Sequence, residues 1–387
     1  MNYAEIPSPC YVLDEASLRR NLELLKRVQN EAGVEIICAL KGFAMFSTFP
    51  LVSQYLAGAT ASSLNEARLI VNEWGTLAHT YAPAYRDDEF DEILRLSRHL
   101  TFNSWSQWER FRERVTAWNQ QRTTNNGQPI SCGIRINPQY SEVATDLYNP
   151  CIPGSRLGVV RAALPDRLPP EVEGLHFHTL CENDSHTLER TLHAVELRFG
   201  DLLQQVKWLN MGGGHLITRA DYDPDHLIGV LKTFKSKFPH LHVILEPGSA
   251  VGWQTGVLVS TVLDVLDAQG IDVAILDTSF SNHMPDTLEM PYKPRILGAD
   301  SEPVPGKPTY RLGGMTCLAG DYMGDYSFEK PLRVGDTVVF DDMIHYTMVK
   351  TTTFNGVNLP SIGIWQENGT FRLVKQYGYE SYRDRLS

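Results

Sequence analysis

The sequence predicts an α/β protein: a (β/α)8 barrel over residues 13–249 followed by an all-β domain over residues 250–387, which the N-terminal strand, residues 1–12, is expected to join. Three observations lead there. Apolar or β-branched runs recur at 35–41, 59–63, 78–83, 99–103, 131–137, 173–180, 206–211 and 241–246, with helical stretches between them. Eight strand–helix units over roughly 210 residues suit a barrel, for which about 250 residues is typical. The ends of those strands carry polar and glycine residues (Lys41, Ser62-Ser63, His178, Gly212-Gly213-Gly214, Glu246) where a pure core would continue apolar. Beyond residue 250 long helical patterns stop, and short strand-like runs alternate with Gly, Pro and Asp turns.

In chain order, Ser8-Pro9-Cys10-Tyr11-Val12-Leu13 reads as a strand, and Asp14 as the cap of a helix that places Leu18, Leu22, Leu25 and Val28 on one face. The run Glu35–Lys41 is a buried strand closed by a lysine and then Gly42. Ser63-x-x-Glu66 is a capping box ahead of the helical stretch 64–71. The polar stretch Gln120–Gln128 is expected to be an exposed loop. Asp223-Pro224 marks a helix start, cap then proline, ahead of 226–231. In the second domain, 257–262, 272–276, 336–340 and 346–351 are predicted strands.

Composition narrows the class. The chain is 42% hydrophobic and 21% charged, as for an ordinary globular protein. No run approaches the ~20 apolar residues of a membrane span. The N-terminus lacks the basic-then-apolar order of a leader, and six cysteines without a CxxC pair point to reduced thiols; a cytoplasmic location is expected. A net charge of −11 disfavours nucleic acid as a partner.

Each strand-end motif has a functional and a plain reading. A lysine closing a buried strand either snorkels to water or, with its pKa lowered by desolvation, serves as a nucleophilic amine. Three consecutive glycines after the seventh strand let backbone N–H groups approach an anion, or simply form a turn. Glu246 at the eighth strand end suits a general base, a metal ligand, a partner for a protonated ring nitrogen, or a salt bridge. His176 and His178 share one strand face, as in barrel metal sites, though that spacing normally lies on an early strand; a flat imidazole could equally stack on an aromatic cofactor. Cys317 lies in the glycine-rich stretch 313–321 and so is less obviously core than Cys38.

Together these segments resemble the alanine racemase/ornithine decarboxylase group of fold type III pyridoxal-phosphate enzymes, almost end to end and in the same order. The resemblance implies that Lys41 carries pyridoxal 5'-phosphate as a Schiff base and that His178 stacks on the ring. Gly212, Gly213 and Gly214 would hold the phosphate, and Glu246 would bind the ring nitrogen. It further implies a homodimer with shared sites, in which Cys317 through Asp321 reach the partner subunit's site and Tyr346 contacts its phosphate. Lys41, Glu246 and Cys317 are then the expected catalytic residues, with no metal. The strings 178–183, 283–286, 288–292 and 314–321 narrow the resemblance to a branch acting on polyamine-like amino acids. For the cationic tail of such a substrate, His283, Asp286, Glu289 and Tyr292 lie close in sequence, and Asp321 could join them. Three departures stand out. Ser249 replaces the arginine usual after Glu-Pro-Gly, Thr179-Leu180-Cys181 replaces a Gly-Ser pair, and Leu318 replaces the glutamate of diaminopimelate decarboxylases. Diaminopimelate or another basic amino acid remains the alternative substrate, and a non-catalytic cofactor-binding protein, an alanine racemase or a metallohydrolase the outside readings.

Overall fold

A computed structural model describes residues 2–124 and 128–387. Its strands are β1 (Cys10–Asp14), β2 (Glu35–Ile36), β3 (Cys38–Ala39), β4 (Ala59–Ala61), β5 (Ala78–Tyr81), β6 (Ser97–Phe102), β7 (Ser131–Arg135), β8 (Val172–His176), β9 (Trp208–Asn210), β10 (His242–Leu245), β11 (Gly256–Asp267), β12 (Asp272–Leu276), β13 (Ala299–Asp300), β14 (Thr309–Gly313), β15 (Tyr322–Phe328), β16 (Thr337–Asp341), β17 (Ser361–Trp365) and β18 (Phe371–Lys375). The helices that matter most are α1 (Glu15–Ala32), α2 (Phe49–Val52), α3 (Leu64–Leu69), α4 (Asp87–Leu96), α5 (Trp105–Thr124), α6 (Ser185–Leu203) and α7 (Pro224–Lys237). The chain divides into Asn21–Val251 and a second unit made of Met1–Arg20 with Gly252–Ser387.

The first unit holds the parallel sheet, ordered β2-β10-β9-β8-β7-β6-β5-β4-β3. β2 and β3 are two halves of one strand interrupted at Ile37, and this split closes the ring. β2 pairs with β10, Leu245 opposite Ile36, while β3 pairs with β4, Cys38 opposite Ala59. Between them Ile37 N–H donates to Leu245 O at 3.0 Å and Cys38 N–H to Gly58 O at 2.9 Å, so no ladder edge opens at the seam. The barrel lumen is filled partly by a single large ring. A Cβ on Gly174 would lie 1.9 Å from the Trp208 indole, and one on Gly133 2.3 Å from it. Glycine on two neighbouring strands thus makes the space that Trp208 occupies, with its Nε1 donating to Ser131 Oγ at 2.8 Å.

The helices start where their caps predict. Asp14 Oδ1 accepts from Ser17 N at 2.7 Å, and Leu18, Leu22, Leu25 and Val28 are fully buried. Ser63 Oγ accepts from Glu66 N–H, and Glu66 answers by accepting from Ser62 N–H at 2.6 Å, so Glu66 does perform the capping task. Asp223 Oδ1 accepts from His226 N at 2.9 Å with Pro224 at the first helical position. One expectation fails: residues 120–124 are the last turn of α5, not a loop. Its polar residues lie on a solvated helix end, where the Thr123 and Thr124 hydroxyls bond back to the carbonyls of Asn119 and Gln120. Residues 125–127 of that expected loop lie outside the described residues.

In the second unit the sheet runs β13-β15-β14-β12-β11-β1-β17-β18, with β16 also paired to β11. The strand expected at the N-terminus is β1, seated between β11 and β17. Long β11 pairs with β1 and β16 through Thr261 and with β12 from Val262 onward, that ladder shifting register between Val262 and Asp264. Ile6, Cys10, Val12, Val257, Val259 and Val339 form its core cluster. The unit is mostly sheet but not all-β. The expected strand 346–351 is instead a short helix, Tyr346–Val349. Its β-branched Thr347 is buried and donates its hydroxyl to Asp286 Oδ2 at 2.9 Å, a tertiary anchor that overrides strand propensity.

Candidate active site

Lys41 lies just past β3, at the C-terminal rim of the barrel. Its side chain is open to solvent, yet protein surrounds the amine closely enough that desolvation, with Arg135 second, lowers its pKa from the ordinary lysine value. Nζ sits 3.1 Å from His178 Nε2. The other ring nitrogen, Nδ1, accepts from Gly213 N–H at 2.9 Å. A neutral imidazole has one lone pair and one N–H. With the lone pair of Nδ1 engaged, Nε2 carries the proton, and Lys41 must meet it with a lone pair of its own. Burial, followed by the positive charges of Lys41 and Arg135, holds His178 well below the usual histidine range and keeps it neutral. Hydrogen bonding and desolvation therefore both favour the neutral form of the amine, the form that can act as a nucleophile.

Glu246 follows β10 and is held from two sides. Asn210 Nδ2 donates to its Oε1 at 2.6 Å, and His176 Nε2 lies 3.4 Å from its Oε2. Burial alone would raise the carboxyl pKa, but His176, Asn210 and Lys41 outweigh that and keep Glu246 below the ordinary range, hence ionised. Asn210 also accepts from Gly212 N–H at 2.9 Å, tying the glycine loop to the same carboxylate. The loop admits no side chain: a Cβ on Gly213 would stand 2.2 Å from Glu246 O, and one on Gly214 1.9 Å from Leu180 O. Gly212 and Gly214 have φ of +66° and +90°, which other residues reach only with strain.

Lys41, His178, the three glycines and Glu246 thus gather at one rim, with His176 beneath them. Sequence reading missed three neighbours. Arg135 ends β7, is 4% exposed, donates to His178 O at 3.0 Å and lies 4.8 Å above the Tyr81 ring. Like Lys41, it is a basic residue closing an apolar strand, and that parallel was available in the sequence. Tyr81 and Asn210 gave no such sign, being ordinary strand residues.

The remaining candidates all lie in the second unit. Cys317 is exposed, its N–H donating to Asn355 Oδ1 at 2.8 Å. Asp321 is 4% exposed; it accepts from Phe280 N, Ser281 N, Thr316 N and Thr316 Oγ1, at 2.7, 3.1, 3.0 and 2.6 Å. Both of its oxygens accept hydrogen bonds that hold its loop. His283 is fully buried, accepting from Ser279 N at 3.1 Å, with no hydrogen-bond partner for Nε2 among the described residues. Asp286 takes Tyr292 OH at 2.6 Å and Thr347 on Oδ2, leaving buried Oδ1 without one. Glu289 is exposed and ion-paired to Lys350, and Tyr346 is half-buried at the start of its short helix.

The family model described as "Pyridoxal-dependent decarboxylase, C-terminal sheet domain" matches residues 10–344. The chain belongs to this family. A carboxyaminopropylagmatine decarboxylase of Synechocystis is 51% identical over 383 residues, spanning 99% of this chain and 96% of that one. A carboxynorspermidine/carboxyspermidine decarboxylase of Campylobacter jejuni is 42% identical over 392 residues, spanning 99% of each. The crystal structure of C. jejuni carboxynorspermidine decarboxylase complexed with norspermidine aligns with a TM-score of 0.88 at 40% identity, over 98% of this chain and 100% of that one. The rim of this pyridoxal-dependent decarboxylase fits such a cofactor on its own chemistry: an amine with a lowered pKa, a flat neutral imidazole, an ionised carboxylate and a loop without room for Cβ atoms.

Proposed function

We propose that the protein decarboxylates a carboxylated linear polyamine of the carboxynorspermidine/carboxyspermidine class, using pyridoxal 5'-phosphate bound at the barrel rim. The observation that carries this reading is the convergence of Lys41, its amine pKa lowered by desolvation, with His178 and ionised Glu246 at one set of strand ends. Bound there, the cofactor supplies an aldehyde for amines and a ring that accepts the electron pair left by departing CO2. The chain's own part is then specific. Lys41 offers an Nζ whose neutral, nucleophilic form its desolvated surroundings favour. Gly213 N–H fixes the His178 ring so that its face is presented and its proton stays on Nε2. Glu246, braced by Asn210 and His176, supplies a fixed negative charge that keeps a facing ring nitrogen protonated. Gly212, Gly213 and Gly214 are the phosphate loop in this reading. Cys317 is the candidate to return a proton to the substrate carbon, in the partner subunit's site of a homodimer, with Tyr346 near that phosphate.

A second substrate reading has one observation behind it: the 51% identical relative is named for carboxyaminopropylagmatine, whose tail ends in a guanidinium, not an amine. Asp286, with an uncommitted buried oxygen, is the acid best placed chemically for either tail.

Purified protein is expected to absorb visible light, and borohydride to fix the cofactor on Lys41 by peptide mapping. CO2 release from carboxynorspermidine, carboxyspermidine, carboxyaminopropylagmatine, diaminopimelate and ornithine ranks the substrates. Highest kcat/KM for either of the last two would overturn the polyamine reading while leaving the cofactor intact. Mixing Lys41→Ala with Cys317→Ala chains should restore roughly a quarter of wild-type activity, one intact site per mixed dimer; no recovery would mean self-sufficient subunits.

A further inference from the structure

A second cluster of metal-binding groups sits on the outside of the barrel, in side chains that the proposed chemistry leaves unused. His186, Glu189 and His226 bring one ligand atom each to within 4.8 Å of one another. His186 and Glu189 occupy i and i+3 on the first turns of α6, so they share a helix face. His226 stands on the first turn of α7, its backbone N–H held by the Asp223 cap. Its Nε2 lies 3.6 Å from Glu189 Oε2, and its ring centroid 3.9 Å from that of His186.

Three features make this more than a chance surface group. First, His226 Nδ1 lies 2.9 Å from the hydroxyl of Ser185, which is 1% exposed. When Nδ1–H donates there, the lone pair is on Nε2 and faces Glu189, the orientation that outer-shell partners impose on metal-bound imidazoles. Second, the donors already lie near the required spread. Ligand bonds of about 2.0–2.2 Å leave donors roughly 3.5 Å apart on a tetrahedron, close to the His226–Glu189 distance, and exposed His186 has room to turn inward. Third, the helix N-termini would repel a cation, but Asp184, Asp223 and Glu189 supply negative charge at those turns.

We propose that His186, Glu189 and His226 form a three-ligand site for a borderline divalent cation of the zinc class, with water completing the coordination. Two imidazoles and one carboxylate suit such ions better than calcium or magnesium, which prefer all-oxygen shells. The ion would clip α6 to α7. These helices follow the loops that carry His178 and Gly212–Gly214, and those loops are themselves bridged: Asn183 N–H donates to Gly214 O at 3.1 Å and Leu216 N–H to Asn183 O at 3.3 Å. The site is a brace for the rim, built from side chains other than those proposed to hold the cofactor.

The test uses the full chain with its cofactor, stripped by chelator and titrated calorimetrically with zinc chloride alone. One binding event per chain is expected. It should weaken at least tenfold in His186→Ala and in His226→Ala, weaken less in Glu189→Gln, and persist in Cys317→Ser, which removes the exposed thiol. Cobalt(II) should give visible d–d absorption that both histidine variants lose, and zinc should raise the melting temperature of the wild type and of Cys317→Ser but not of either histidine variant. Circular dichroism and metal-free melting confirm that the variants fold. No event in the wild type, or an equal event in all three cluster variants, would overturn the proposal.

Discussion

Asn210 is the residue on which the rim turns. One amide binds Glu246 through its nitrogen and Gly212 N–H through its oxygen, at 2.6 and 2.9 Å. Replacing it removes two hydrogen bonds at once, one of them to a charge, at a cost of about 1.5–3 kcal/mol for the charged bond. Asn210→Ala is therefore expected to weaken cofactor binding about tenfold or more and to lower kcat; a fluorescence titration with pyridoxal phosphate reads the first and steady-state assay the second. Unchanged affinity would show that Asn210 positions nothing. Lys41, His178 and Glu246 were legible in the sequence because charge or imidazole at the end of an apolar run is anomalous on its face. Asn210 was not, since nothing marks a strand amide as the holder of a carboxylate contributed by the next strand. Nor does the sequence announce the four donors that meet Asp321, which come from two separate segments of the chain.

Among the elements, the barrel strands were readable and the sheet unit less so. Parallel strands buried on both faces are continuous apolar runs, whereas β13, β14, β15, β17 and β18 are partly exposed and carry polar residues among the apolar ones. The segment 346–351 misled because β-branched residues advertise a strand until a tertiary hydrogen bond decides otherwise. The fit of β8 against β9 gives a paired prediction. Gly174→Ala drives a methyl into Trp208 and should destabilise by about 1–3 kcal/mol. Gly229→Ala, on exposed α7 with nothing within 4 Å, should stabilise by up to ~1 kcal/mol. Urea denaturation of both variants checks the contrast; equal effects would mean that the Trp208 packing is loose.

At the scale of the whole molecule, the barrel floor sets the response to acid. His79 and His99 face each other with nitrogens 3.2 Å apart, Glu35 lies 4.0 Å from His79 and 2.6 Å from His242, and Arg98 adds positive charge. Desolvation, then neighbouring positive charge, drives His99 down to about 4 and His79 well below the ordinary value of 6.5. Unfolded, both imidazoles take up a proton near pH 6.5. Between about 4 and 6.5 the unfolded chain therefore binds more protons, so stability rises with pH in that window and is lost as pH falls through it. His99 alone should make the protein about 2 kcal/mol less stable at pH 5 than at pH 7. Chemical denaturation at the two pH values measures this, and His99→Gln should flatten the difference; an identical slope in the variant would place the acid sensitivity elsewhere. Among the described residues no helix is long and apolar enough to cross a membrane.

The split first strand has a consequence for the order of events during folding. Its two halves pair with the second strand of the ring and with the last, so the seam at Ile37 cannot close until β10 has been made and docked. Such non-local closure is slow relative to the helices and neighbouring strand pairs. Lys41 lies four residues beyond the seam, and Glu246 directly follows the strand that closes it. Before closure, the lysine is an ordinary solvated amine on a loose end. The lysine and the carboxylate proposed to work together are thus assembled in the same late step that completes the barrel, and a chain stalled before it carries every rim residue but no rim.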